Sequence, residues 1–185
     1  MEIHEAREEH LPAITEIHNH AVEHTTAIWN DTRVDLADRA RWREERRRAG
    51  FPVLVALADG EVLGFASYGP FRPHDGFRRT VEHSVYVRPA STGQGVGRRL
   101  MEALLDRARA HGVHVMVAGI DASNTASIRL HEALGFRSVG MLPQVGFKFG
   151  RWLDLVFLLR QLDDGPAPAV PGTSSGPEDG EDPRD

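Results

Sequence analysis

The stretch Thr80-Val-Glu-His-Ser-Val-Tyr-Val87, followed after Arg88-Pro89-Ala90 by Ser91-Thr-Gly-Gln-Gly-Val-Gly97, decides the fold class. Its first eight residues are rich in β-branched and aromatic side chains and read as a strand. Alternation along that strand sends Glu82, Ser84 and Tyr86 to one face and Val81, His83, Val85 and Val87 to the other. A carboxylate in the middle of so apolar a segment is unusual, because burying its charge is costly without a partner or a task. Behind the glycines, Leu100, Met101, Leu104, Leu105 and Ala108 recur at helical spacing as far as His111-Gly112. The order is therefore strand, glycine loop, helix. Gly93, Gly95 and Gly97 let backbone N–H groups converge at a helix N-terminus, where the partial positive charge favours a phosphate. A pyrophosphate-bearing ligand is the natural reading, although a glycine triplet by itself serves equally as a plain turn. The loop matches neither G-x-x-x-x-G-K-[ST] nor G-x-G-x-x-G, so it supports neither a kinase-type loop nor a nicotinamide site.

Working outward, residues 2 to 7 open with a short strand, and Leu11, Ile14, Ile17, Ala21 and Val22 predict a helix from Glu8 to His24. Asp35 can cap a second helix that runs through Trp42 and an arginine-rich stretch to Gly50. Phe51–Ala58 and Glu61–Tyr68 are apolar runs flanking Asp59-Gly60, the signal of a tight hairpin. Residues 69 to 79 read as a polar loop of the kind that often carries binding groups. Downstream, Val113–Ile120 reads as a strand and Asn124–Leu134 as a helix closed by Gly135. Phe136–Leu142 and Trp152–Leu159 read as two more strands. The fold class is mixed α/β around one sheet.

Composition narrows the function. A chain of 185 residues is about one domain. No apolar run approaches the roughly 18 residues of a membrane span, which argues against a transmembrane protein. With no cysteine there is no disulfide framework, thiolate zinc site or cysteine nucleophile. The N-terminus has neither a basic start nor an apolar core, so it does not read as a secretory signal and the cytoplasm is the expected location. From Asp163 to Asp185 stand seven acidic residues, one basic residue and five of the eleven prolines, which predicts a disordered acidic tail behind a domain of residues 1–162. That domain is nearly neutral, which argues against a nucleic-acid surface. His20 and His24 sit one helical turn apart with His18 nearby, but no further ligand has motif spacing, so no metal is expected.

Three blocks now carry a resemblance. Thr80–Val87, Gln94-Gly95-Val96-Gly97 opening its amphipathic helix, and Asp121-Ala-Ser-Asn124-Thr-Ala-Ser127-Ile-Arg-Leu-His131-Glu-Ala-Leu-Gly135-Phe136 resemble, in order and spacing, the acetyl-CoA-binding core of the GNAT superfamily of N-acetyltransferases. Thr26-Ala-Ile-Trp29, Gly76–Val87, His114–Ala118 and Pro143–Leu155, with its Lys148-Phe-Gly-Arg-Trp152, are similar to the phosphinothricin and methionine sulfoximine acetyltransferases within it. The resemblance spans nearly all of residues 2 to 162.

It implies a GNAT fold, a sheet of about six to seven strands flanked by about four helices and split to form an acetyl-CoA cleft. The pyrophosphate would lie on the amides of Gly93, Gln94, Gly95, Val96, Gly97 and Arg98, and the pantetheine would pair with backbone at Val85, Tyr86 and Val87 like an added strand. Asn124 and Ser127 match polar residues that contact the cofactor arm in relatives. The superfamily commonly carries Arg or Gln just ahead of this loop, and Thr92 stands here instead. Acetyl transfer needs a neutral amine, a polarised thioester carbonyl and a proton for the departing thiolate. Glu82 matches the family's proposed general base, though pairing with a loop arginine such as Arg72 or Arg78 is the plainer alternative. A backbone N–H near Val85 would polarise the carbonyl. His131 stands where many members carry a Tyr proton donor, so it either donates or only packs near the sulfur. Arg72, Pro73 and His74 match substrate-loop positions, with Glu82, His83 and Ser84 lining the next part. Arg78, Lys148 and Trp29 are weaker candidates.

The implied activity is N-acetylation of the α-amino group of methionine sulfoximine, phosphinothricin or methionine sulfone by an enzyme that pairs as a homodimer. Other readings are a GNAT enzyme for a polyamine, an aminoglycoside or a protein N-terminus, and a non-catalytic acetyl-CoA sensor. A sensor has no need of a carboxylate such as Glu82 facing the cleft.

Overall fold

The computed structural model describes residues 1–165. The chain begins with β1 (Glu2–Glu5), a 3₁₀ turn (Glu8–His10), α1 (Leu11–His24) and α2 (Leu36–Arg48). Then come β2 (Val53–Ala58), β3 (Glu61–Pro70), β4 (Thr80–Val87), α3 (Val96–Ala110), β5 (Val115–Asp121), α4 (Thr125–Ala133), β6 (Arg137–Lys148) and β7 (Arg151–Gln161). Leu11, Ile14, Ile17, Ala21 and Val22 of α1 are buried, as their spacing predicts, but the helix starts at Leu11 because Glu8–His10 winds as the tighter turn. Asp35 caps α2, its carboxylate accepting the Asp38 N–H at 2.7 Å. Between β2 and β3, Asp59 and Gly60 both take positive φ, 52° and 80°. Two left-handed residues in succession form the turn whose twist suits a hairpin.

The seven strands form one sheet in the order β1-β2-β3-β4-β5-β7-β6. Only β4 and β5 run parallel. Helices cover both faces. Leu11, Ile14 and Ile17 of α1 pack on Val53, Val55, Val62 and Phe65, with Trp42 of α2 beside them. On the other face Leu100, Met101, Leu104 and Leu105 of α3 pack on Leu54, Ala66, Met116 and Ala118. Among the described residues no helix is long and apolar enough to cross a membrane.

What positions the site is a failure of pairing. The β4–β5 ladder joins Thr80–Glu82 to Val115–Val117 and stops. Beyond it β4 stays with β3 as far as Val87, while β5 stays with β7 as far as Asp121. The sheet therefore opens into a V whose apex lies at Glu82 and Val117. Past the apex, the inward backbone groups of β4 have no neighbouring strand.

The last hairpin is longer than the sequence predicts. The strand expected to end at Leu142 runs through Pro143 to Lys148, with a register shift between Leu142 and Gly146. Proline is tolerated because β6 is the sheet edge and the shift is a bulge. Gln144 takes a φ of 53°, and its N–H donates to Asp154 Oδ1 at 2.8 Å. After β7, the Leu162 N–H donates to the His114 carbonyl at 2.8 Å. Past Gly165 the acidic tail expected over 163–185 lies outside the described residues.

Candidate active site

A cleft passes through the V, lined by Glu82–Tyr86 of β4, Ala118–Asp121 of β5, Asn124, Ser127 and His131 around α4, Leu155 of β7, and Thr26, Ala27 and Trp29 after α1. The alternation expected along β4 gives the cleft two sides. Tyr86 packs against Phe65 and against His18 of α1, so Glu82, Ser84 and Tyr86 share the α1 face. His83 turns to the opposite face and meets His131 of α4.

Glu82 sits at the apex. Burial pushes its carboxyl up from the ordinary glutamate value, with the charge of Arg72 pulling the other way. Among the described residues it has no ion-pair partner, so neither Arg72 nor Arg78 neutralises it by contact. Room for its carboxylate comes from Gly119 on β5, where an added Cβ would lie 3.0 Å from Glu82 Oε1. Burial pushes the Tyr86 hydroxyl up to about 12, so it keeps its proton.

On the other face His131 is 1% exposed, with Nδ1 2.7 Å from the Ser127 carbonyl and Nε2 3.1 Å from His83 Nε2. A carbonyl only accepts, so His131 Nδ1 carries the hydrogen and donates it. In the neutral ring Nε2 is then the acceptor, and His83 Nε2–H donates to it. The enclosed His83 Nδ1 has no partner, which agrees with its carrying no proton. Burial lowers the pKa of both rings, that of His83 to about 3. His83 lines the cleft with Glu82 and Ser84 but from the opposite face of β4, where the pleat turns it toward α4.

At the open end of the V, Gly93 and Gly95 take φ of 78° and 77°, and Gly95 precedes α3 with no side chain capping it. The first N–H groups of a helix have no intrahelical acceptor, so those from Gly93 through Arg98 fit an anion such as a pyrophosphate. Gly97 brings α3 against β4 and α4, for an added Cβ would lie 3.5 Å from Val87 and 3.4 Å from Leu130. Asn124 caps α4 by accepting the Ser127 N–H at 3.1 Å, so both residues shape the wall as well as lining it.

Other expected residues fall elsewhere. Arg72, Pro73 and His74 lie exposed in the loop before β4 and outside the cleft lining, as does Arg78, which donates to the Asp75 carbonyl. Lys148 is not a substrate ligand: it is 2% exposed, its ammonium held by backbone carbonyls. His20 and His24 stand with ring centroids 4.7 Å apart, and among the described residues no group of three or more His, Asp or Glu is placed to hold a metal.

Thr26, Ala27, Gly119, Asp121 and Leu155 also line the cleft, although the sequence assigns none of them a site role. Gly119 carried a signal, as a lone glycine inside an apolar strand marks a close approach. Asp121 is 5% exposed. Burial would raise its carboxyl, but hydrogen bonds from Thr26 and Ser123 and the charge of Arg151 outweigh that and hold it below its ordinary value.

Known proteins share this architecture. Residues 14–136 match the acetyltransferase (GNAT) family. An L-methionine sulfoximine/L-methionine sulfone acetyltransferase of Salmonella typhimurium is 60% identical over 156 residues, 84% of this chain and 91% of that one. A phosphinothricin N-acetyltransferase of Alcaligenes faecalis is 42% identical over 160 residues, covering 86% and 81%. The structure of a Salmonella typhimurium acetyltransferase with its cofactor acetyl-CoA superposes with a TM-score of 0.90 at 56% identity, covering 92% of this chain and 98% of that one. With the split sheet, the glycine-loop helix and these matches together, the chain belongs to the GNAT family of acetyltransferases.

Proposed function

We propose that this enzyme transfers the acetyl group of acetyl-CoA to the α-amino group of glutamate-analogue amino acids: methionine sulfoximine, methionine sulfone and phosphinothricin. The observation that carries this reading is Glu82, an unpaired carboxylate with a raised pKa at the apex of a cleft that opens to both faces of the sheet. The acceptor class is supported by the names of the relatives that are 60% and 42% identical.

Acetyl-CoA supplies a thioester carbonyl that an amine attacks, giving an amide and free CoA. Residues of this chain fit it: the uncapped start of α3 suits the pyrophosphate, and the free edge of β4 at Val85, Tyr86 and Val87 suits an extended amide-bearing arm. Asn124, Ser127 and His83 flank that side. A backbone N–H near Val85 stabilises the oxyanion that forms on attack. On the α1 face Glu82 takes the ammonium proton, directly or through a water, so that the nitrogen lone pair is free. Arg72 lies near enough to act on the Glu82 carboxyl, and the same charge draws the acceptor's anionic head toward the loop of Arg72, Pro73 and His74.

Two further parts of the reading concern the whole protein. A second copy of the chain covers the apolar outer side of β6, making a homodimer, and the enzyme works in the cytoplasm on small molecules. The first is supported by exposed Val139, Met141 and Phe147 on an edge strand.

Glu82→Gln tests the assignment of the base. Because the pKa of Glu82 is raised, the wild-type kcat/KM falls with decreasing pH at a limb above the ordinary glutamate value of 4.5. The variant binds acetyl-CoA, loses at least about tenfold in turnover and lacks that limb. Undiminished turnover removes Glu82 from the mechanism.

A further inference from the structure

The acceptor-side wall opposite Glu82 is irregular chain, yet it is fastened from the far edge of the sheet. After α1 ends at His24, residues 25–29 carry Thr26, Ala27 and Trp29 into the cleft lining. The ammonium of Lys148 donates to the carbonyls of Val22, Thr25 and Ile28 at 2.6, 2.8 and 2.5 Å. An ammonium has three hydrogens to give, so each is matched. Carbonyls at the end of α1 have no intrahelical donor and stand at the negative end of the helix dipole, where a buried cation is best tolerated. Asp31 adds an attractive charge. Within the wall, the Trp29 indole N–H donates to the Thr26 carbonyl at 2.8 Å.

Trp29 also rests on β6. A Cβ added at Gly146 would lie 2.3 Å from the Trp29 ring, so any side chain there displaces the indole. Gly146 does not take a positive φ, so an alanine meets resistance from Trp29 and not from its own backbone. Gly146 and Lys148 are two apart on one strand and share a face. Both act on the segment after α1, Lys148 by hydrogen bonds to the Thr25 and Ile28 carbonyls and Gly146 by leaving room for Trp29.

We propose that Gly146 and Lys148 are positioning residues for acceptor binding, setting from β6 where the Thr25–Trp29 wall stands opposite Glu82. This rests on the reading that the amine acceptor enters on the Glu82 side. Acceptor binding is then set partly by a strand that places no side chain of its own in the cleft lining.

Gly146→Ala tests it, with Gly140→Ala on the same strand as control, since an added Cβ at Gly140 meets nothing within 4 Å. The readouts are the acceptor and acetyl-CoA KM values and the fluorine resonance of Trp29 in 5-fluorotryptophan-labelled protein, assigned through Trp29→Phe. Gly146→Ala should move the Trp29 resonance and raise acceptor KM about tenfold, as a small misplacement in a site does. Acetyl-CoA KM should stay within about twofold, and the penalty should vanish in a Trp29→Ala background. Lys148→Met should act likewise and more strongly; if it fails to fold, Gly146→Ala carries the test. An unmoved Trp29 resonance, an unchanged acceptor KM, an equal change in acetyl-CoA KM, or a full penalty without Trp29 would overturn the proposal. Wild-type protein that turns over no amine would instead defeat the acceptor reading, while the resonance still decides whether Gly146 places Trp29.

Discussion

His131 in its neutral form has no proton to hand on, because Nδ1–H is engaged by the Ser127 carbonyl and Nε2 accepts from His83. Adding a second proton would set two N–H groups against each other at 3.1 Å or leave an unpaired N–H on His83. The pair therefore ties α4 to β4 at the mouth of the V as a neutral unit. Replacing His131 with Phe should raise acetyl-CoA KM and leave the alkaline limb of the kcat profile in place. A loss of about a hundredfold in kcat together with that limb would make His131 the acid after all. The same burial has a stability consequence with a definite sign. His83 has a folded pKa of about 3 against 6.5 unfolded, so the unfolded chain binds more protons between those values. Stability is complete above pH 6.5 and declines as pH falls through that window.

At the scale of elements, what could be read from sequence was what local chemistry dictates. Asp35 as a cap, Asp59-Gly60 as a hairpin turn and the β4 alternation each depend on a few neighbouring residues, and each stands where expected. Glu82 stood out because a carboxylate is costly in an apolar strand. Thr26, Asp121 and Leu155 stand in blocks that carry the resemblance, but their place in the cleft is not legible there, because only the pairing of distant strands brings them together. The burial of Lys148 is illegible for a related reason: the carbonyls that hold it lie more than a hundred residues away in the chain. The strand read over Phe136–Leu142 runs on through Pro143 because an edge strand absorbs a proline in a bulge. That edge carries its own prediction. Val139, Met141 and Phe147 are each more than half exposed on a strand with a free side, an arrangement that invites pairing. Val139→Lys with Met141→Lys should convert a dimer to a monomer in sedimentation equilibrium without unfolding it. A wild-type monomer at micromolar concentration would contradict the proposed homodimer.

For the whole molecule, one feature of topology makes a general α/β sheet into a transferase. β4 and β5 part after a three-residue ladder, so a cleft opens between them with Glu82 at its apex, and the uncapped start of α3 follows β4 in the chain. In the proposed reading each substrate has its own entrance, and the reacting atoms meet at the apex. The most direct measurement is release of free CoA thiol from acetyl-CoA with methionine sulfoximine, methionine sulfone, phosphinothricin or spermidine supplied separately. With no cysteine in the chain, the thiol background is low. Rapid release with the three amino acids and none with spermidine is the predicted result. Release with spermidine alone, or with none of the four although acetyl-CoA binds, would contradict the assignment of a glutamate-analogue acceptor to the Glu82 side of the cleft.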